Sequence, residues 1–339
     1  MRSQLAFHAT NQFGLITREQ VLAAGLSEGE IRRLTRPDGA WVVVRRGVYV
    51  RREVWEAASN RSGRPLLRTV AVHLKIGHSH VVSHTSAGLL HGLPMLRPKD
   101  TNVHITRRGV GGSRTRHGVK HHLAEHAAHQ VVDIGGVPTL DLARTAVDIG
   151  REHGYLHGLV ACDAARQSGV SLHELRTAVA PMANWPYVIA ARAGVEDSDG
   201  GAESVGETLA RDFLSGLGLG PVTTQFSVAA GGSVHFVDLR VGRHLVEFDG
   251  RVKYQRRDQG GVADRPPQDV VWAEKRRQDD ICAEGYGMSR LVWDDIWTES
   301  ARRDSGARII AEFARTTQRH GTDLPAGYQP IPRIRHRAS

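Results

Sequence analysis

Within the first 50 residues a helix-capping pattern occurs twice, ten positions apart: Thr17 with Gln20, and Ser27 with Glu30. A hydroxyl at the cap and a Glu or Gln three residues on satisfy each other's free backbone donors, so each pair marks a helix start. Gly14 and Gly25 punctuate the chain before each start. The third predicted helix, about Glu28 to Thr35, turns Ile31 and Leu34 inward and Arg32, Arg33 and Arg36 outward. A turn at Pro37 to Gly39 follows. Two β-rich runs, Trp41 to Val44 and Val48 to Val50, then flank the basic turn Arg45, Arg46, Gly47. Helix, helix, helix, hairpin is a helix-turn-helix with a wing. In such a module the second helix of the pair enters the major groove and basic wing residues reach phosphate. Arg32, Arg33, Arg36, Arg45 and Arg46 are therefore the candidate contacts to double-stranded DNA.

The charge distribution fits. Residues 1–150 carry 21 Lys+Arg against 11 Asp+Glu, whereas residues 151–300 carry 16 against 22. A basic front half suits a polyanion, although a merely solvated basic surface gives the same count. The acidic stretch needs its own explanation, and metal binding is one. No apolar run has the length of a signal peptide or a membrane span. Cys162 and Cys282 offer neither metal-ligand spacing nor a disulfide framework, so a cytoplasmic protein without a membrane partner is expected.

Periodicity predicts an α+β multidomain chain. The winged helix-turn-helix occupies 1–52, a middle α/β region 60–180, and an α/β domain 202–319. A basic, Pro-rich tail, 320–339, reads as disordered. The run 195–201, with Asp197, Ser198, Asp199 and two glycines, is the best linker. The last domain reads as helix, three strands, helix, strand, helix, with Trp293 and Trp297 fitting its core. His117, His121, His122 and His126 would suit zinc only on a helix, and Gly118 and Val119 argue for a strand there.

Two adjacent strands of that domain end on acids. Asp238 lies in one; Glu247 and Asp249 lie on one face of the next, by the strand period of two. Glu207 on the preceding helix can approach them. Carboxylates sharing a face repel unless a cation joins them, and hard oxygen ligands suit Mg²⁺ or Mn²⁺. Such an ion activates water and stabilises charge on a phosphodiester.

This acid-bearing helix, the strand Phe236 to Arg240 and the strand Leu245 to Gly250 resemble the PD-(D/E)XK nuclease superfamily. The closest-looking branch is related to the very-short-patch repair endonuclease. The resemblance covers about residues 203–297. It implies a restriction-endonuclease-like α/β fold, with Asp238 and Glu247 as metal ligands and Glu207 as the helix acid. The family motif has Lys where this chain has Asp249; Lys253 is the candidate replacement and Lys275 its competitor.

In the front half, Gly14 to Gln20, Arg46 to Tyr49, Ser83 to Ala87, His91 to Leu93, Pro138, and Ala143 to Asp148 resemble the AbiEi-type antitoxins of type IV toxin–antitoxin systems. That resemblance implies a winged-helix repressor of its own operon, with a middle region that supports a homodimer or neutralises a cognate toxin indirectly. Two functions follow from the two resemblances. One is a Mg²⁺-dependent DNA endonuclease with Glu207, Asp238, Glu247, Asp249 and Lys253 in its site. The other is an antitoxin-like transcriptional repressor whose nuclease-like domain does not cleave.

Overall fold

Both capping boxes form. The Thr17 hydroxyl accepts from the Gln20 amide at 3.3 Å while the Gln20 side chain accepts from the Thr17 amide at 2.8 Å. Ser27 and Glu30 repeat the exchange at 3.2 and 2.7 Å. The computed structural model describes residues 3–98, 100–107, 112–250, 267–325 and 328–331. Around the caps it places α1 (Ser3–Asn11), β1 (Leu15–Thr17), α2 (Arg18–Ala23), α3 (Glu28–Leu34), β2 (Trp41–Arg45) and β3 (Val48–Arg51). The three strands form an antiparallel sheet of order β1-β3-β2. Strand β1 is absent from the sequence expectation; its three residues are too few to show a period.

The chain divides into two compact units, 1–198 and 199–339. Strand β3 ties the winged module, predicted as 1–52, to the region that follows it. Its alternate faces serve different cores. Tyr49 stacks on Trp41 with ring centres 5.8 Å apart and joins Leu5, Ile16, Val21 and Ile31. Val48 and Val50 join Leu15, and with it Leu67, Val70, Val82, Ile105 and Val137 of the following region. The winged module thus keeps one apolar core of its own and shares a second with the region behind it.

That region contains α4 (Arg52–Ala57), α5 (Gly63–Lys75), β4 (Val81–Val82), α6 (His84–Leu90), β5 (Val103–Thr106), β6 (Arg114–Arg116), β7 (Val119–His122), β8 (Val131–Ile134) and β9 (Val137–Leu140). Its six strands order as β6-β7-β5-β4-β9-β8. Four helices follow: α7 (Leu142–His153), α8 (Tyr155–Gln167), α9 (Leu172–Val179) and α10 (Val188–Glu196), packed around Ala146, Ile149, Ala161, Leu175, Met182 and Val195.

Helices α7, α8 and α10 cross at glycines. A Cβ on Gly158 would lie 2.7 Å from the Gly150 Cα, and one on Gly194 would lie 3.0 Å from the Leu159 backbone nitrogen. Only backbone stands in the way, so no side chain can yield. Gly158→Ala is expected to cost about 1–3 kcal/mol, the range for overpacking a core. Urea unfolding should show a lower midpoint with an unchanged slope; an unmoved midpoint would mean the helices separate freely.

The second unit follows the predicted order. It contains α11 (Val205–Gly216), β10 (Thr223–Ala230), β11 (Ser233–Val241), β12 (His244–Asp249), α12 (Pro267–Ala283), β13 (Gly287–Val292), α13 (Trp293–Ile296) and α14 (Glu299–His320). The sheet runs β10-β11-β12-β13, with two antiparallel pairs and then a parallel one. Gly242, at φ +56°, opens the two-residue turn that pairs Val241 with His244, where a Cβ would be strained. The tail departs in part from the expectation of disorder. Leu324 and Tyr328 pack on the core of this unit, and Tyr328 stacks on Phe226 with ring centres 4.9 Å apart. No described helix is long and apolar enough to cross a membrane.

Candidate nucleic-acid interface and carboxylate face

Helix α3 keeps Ile31 buried and leaves Arg32 and Arg33, in its last turn, exposed. Arg36 after the helix and Arg46 in the wing turn are at the surface too. None of these four makes an ion pair with another described residue, so their charge is uncommitted. Arg45 differs: its guanidinium donates to the His117 carbonyl at 3.3 Å, which fastens the wing to the loop after β6. Three of the module's four acids are engaged, and the fourth, Asp38, lies exposed in the turn after α3. Glu28 pairs with Arg18, and Glu30 serves as the α3 cap. Glu19 pairs with Lys75 at 2.8 Å, and that hydrogen bond holds its carboxyl down to about 2. With most of its acids engaged and Arg32, Arg33, Arg36 and Arg46 free of ion pairs among the described residues, this face presents net positive charge to a phosphate backbone.

The predicted acids of the second unit lie on the first turn of α11, within β11 and at the end of β12. Glu207 sits in that turn, and its carboxylate accepts from the Glu203 amide at 2.8 Å, the Ser204 hydroxyl at 3.0 Å and the Gln225 side chain at 3.4 Å. Burial pushes its carboxyl above the ordinary range, and the neighbouring charge of Asp238 pushes it further. Asp238 accepts from the Phe248 amide at 2.9 Å, so it also ties β11 to β12 where the ladder ends.

Glu247 and Asp249 have arginine partners. Arg277 of α12 approaches Glu247 at 2.6 Å, and Arg290 of β13 lies 3.9 Å from Glu247 and 3.5 Å from Asp249. Glu274 bridges the two arginines, at 3.1 Å from Arg277 and 2.6 Å from Arg290. Arg277 also donates to the Phe236 carbonyl at 3.0 Å, which anchors it to the neighbouring strand. Burial still raises the Glu247 carboxyl above its usual range, with Arg277 pulling against that shift. Two guanidinium groups therefore supply much of the compensation that the sequence pattern assigns to Mg²⁺ or Mn²⁺. Among the described residues, no set of three ligand atoms within 4.8 Å of one another includes Glu207, Asp238 or Glu247. Lys253 lies outside the described residues, and the Lys275 amine sits 6.0 Å from the Trp272 ring.

The sets that do converge within 4.8 Å are histidine-centred and lie in the first unit: His84, His104 and His122, and Asp100, His104 and His153. Sequence spacing groups His122 with its near neighbours His117, His121 and His126. Its actual companions come from other elements, which no local spacing reveals.

Residues 3–52 match the family of AbiEi antitoxin transcriptional regulators. The curated proteins give no significant match. Among solved structures, the RV2827C protein from Mycobacterium tuberculosis is similar at 16% identity over 61% of this chain and 78% of that chain, with a TM-score of 0.37.

Proposed function

We propose that this chain is a cytoplasmic DNA-binding transcriptional regulator of the AbiEi-antitoxin kind, partnered by a cognate toxin. The observation that carries this reading is the winged module of residues 3–52. It falls on the segment that matches those regulators, and it leaves Arg32, Arg33, Arg36 and Arg46 without ion-pair partners among the described residues. Arg32 and Arg33 reach base edges or phosphate in the major groove, and Arg46 contacts phosphate from the wing. A homodimer would set two such modules on the two halves of an operator.

The test is a titration of double-stranded DNA from the region upstream of the chain's own coding sequence. Arg32→Ala/Arg33→Ala should weaken binding for all sequences and lower the salt slope by about one unit for each phosphate that is no longer neutralised. An unchanged slope would remove these arginines from the interface.

A second reading, a metal-dependent endonuclease, is favoured by one observation. The order helix, three strands, helix, strand brings Asp238 close enough for its charge to help raise the Glu207 carboxyl above its ordinary range. Asp249 in place of the motif Lys and the arginines on Glu247 weigh against it. Nicking of supercoiled plasmid with Mg²⁺ or Mn²⁺, abolished in Asp238→Ala, would establish that activity.

A further inference from the structure

We propose that Asp100, His104 and His153 form a binding site for a transition-metal ion of the Zn²⁺ class in the first unit. The three residues come from three elements: Asp100 from the connection between α6 and β5, His104 from β5, and His153 from the end of α7. Each offers one ligand atom, and these atoms lie within 4.8 Å of one another. The Asp100 Oδ1 and His104 Nε2 atoms are 3.2 Å apart. An ion at ordinary Zn–N and Zn–O distances holds neighbouring ligands roughly 3.0–3.4 Å apart, so this pair already has the spacing of adjacent ligands. The ring centres of His104 and His153 are 5.9 Å apart, inclined by 69°.

A second observation concerns one of these three residues. The Nε2 atom of His153 is shut off from solvent and has no hydrogen-bond partner among the described residues. Buried imidazole nitrogens are costly to leave unsatisfied, and an ion is one way to satisfy them. Two imidazoles and a carboxylate suit Zn²⁺, Fe²⁺ or Co²⁺ better than Mg²⁺ or Ca²⁺, which prefer all-oxygen shells. The carboxylate lowers the net charge left by the ion, and Asp100, with its side chain 32% exposed, gives it a path in.

The surroundings of His104 are those of a held ligand. Its ring is fully buried, and its Nδ1 lies 3.0 Å from His122 Nε2. With a metal on Nε2, the ring proton moves to Nδ1 and His122 accepts it, which fixes tautomer and ring orientation. His122 in turn stacks on His84, with ring centres 3.8 Å apart and planes inclined by 16°. That stack argues against the other triad, His84, His104 and His122. Lone pairs lie in the ring planes, so two near-parallel stacked rings cannot both aim at one ion.

The experiment strips the full-length chain with a chelator, restores Zn²⁺, dialyses, and measures bound metal by mass spectrometry. One Zn²⁺ per chain is expected. Asp100→Asn and His153→Gln should lose it, and His84→Gln should keep it. His122→Gln should weaken it by about 10–100-fold, as loss of a hydrogen-bonded support does. Zinc absorption-edge spectroscopy of the wild type should count two imidazoles and an oxygen donor, a readout that does not depend on any variant folding. No retained zinc in the wild type, retention in His153→Gln with loss in His84→Gln, or a count of three imidazoles would each overturn the assignment.

Discussion

Asp148→Ala is expected to remove about 3–5 kcal/mol from the stability of the first unit, the range for deleting one partner of a buried ion pair. Asp148 on α7 has no exposed surface, and its two oxygens are shared between two arginines. Arg144 donates to Oδ2 at 2.9 Å and Arg151 to Oδ1 at 3.1 Å. Both guanidinium groups lie over the Trp185 ring, with their central carbons 5.2 and 4.6 Å from its centre. Arg144 reaches on to the Glu125 carbonyl at 3.0 Å, so the helix, the tryptophan loop and the segment before β8 meet at one carboxylate. Removing it leaves two confined cations with no anion. Asp148→Asn keeps the acceptor oxygen and should cost less than Ala. Thermal unfolding followed by circular dichroism gives the comparison. A loss below about 1 kcal/mol, the value of an exposed pair, would show that the network contributes little.

That network also explains a motif. The run Ala143 to Asp148 contains Arg144 and Asp148 at the i, i+4 spacing that places them side by side on a helix. Local relations of this kind are legible in the sequence throughout. The two caps, the wing turn and the strand–helix order of the second unit all follow from residues a few positions apart. Relations across elements are not. Arg277 and Arg290 stand 30 and 43 positions beyond Glu247 in sequence, and only the parallel pairing of β12 with β13, with Glu247 opposite Arg290, sets one of them beside it. The histidine cluster depends on register in the same way. Strand β5 pairs with β7 so that His104 faces Lys120 and Thr106 faces His122, and the period of two turns His104 and His122 to one face. Trp297, a core residue by its sequence context, instead follows the short helix α13 and is 67% exposed.

Arg277→Met is expected to destabilise the second unit by about 3 kcal/mol, the lower end for a buried pair because the Arg277 side chain keeps 23% of its exposure. Glu247, whose side chain is 12% exposed, would retain, among the described residues, Arg290 at 3.9 Å. Its carboxyl already lies above the ordinary range through burial, and losing Arg277 raises it further. An acid with a raised folded-state pKa binds more protons folded than unfolded between its two pKa values, so stability falls as pH rises through that window. The deficit of Arg277→Met should therefore grow with rising pH and shrink on acidification, as Glu247 takes up a proton. Divalent ions give a second readout. If the arginines hold the place of a metal, Mg²⁺ and Mn²⁺ should leave the wild-type melting temperature unchanged. They should raise that of Arg277→Met, where the carboxylates of Asp238 and Glu247 are left to attract a cation. A wild-type melting temperature raised by Mn²⁺ and restored to its metal-free value by Asp238→Asn would instead mean that the acidic face binds metal with both arginines in place. A metal bound there is what the hydrolytic reading of the second unit requires, and plasmid nicking would then decide it.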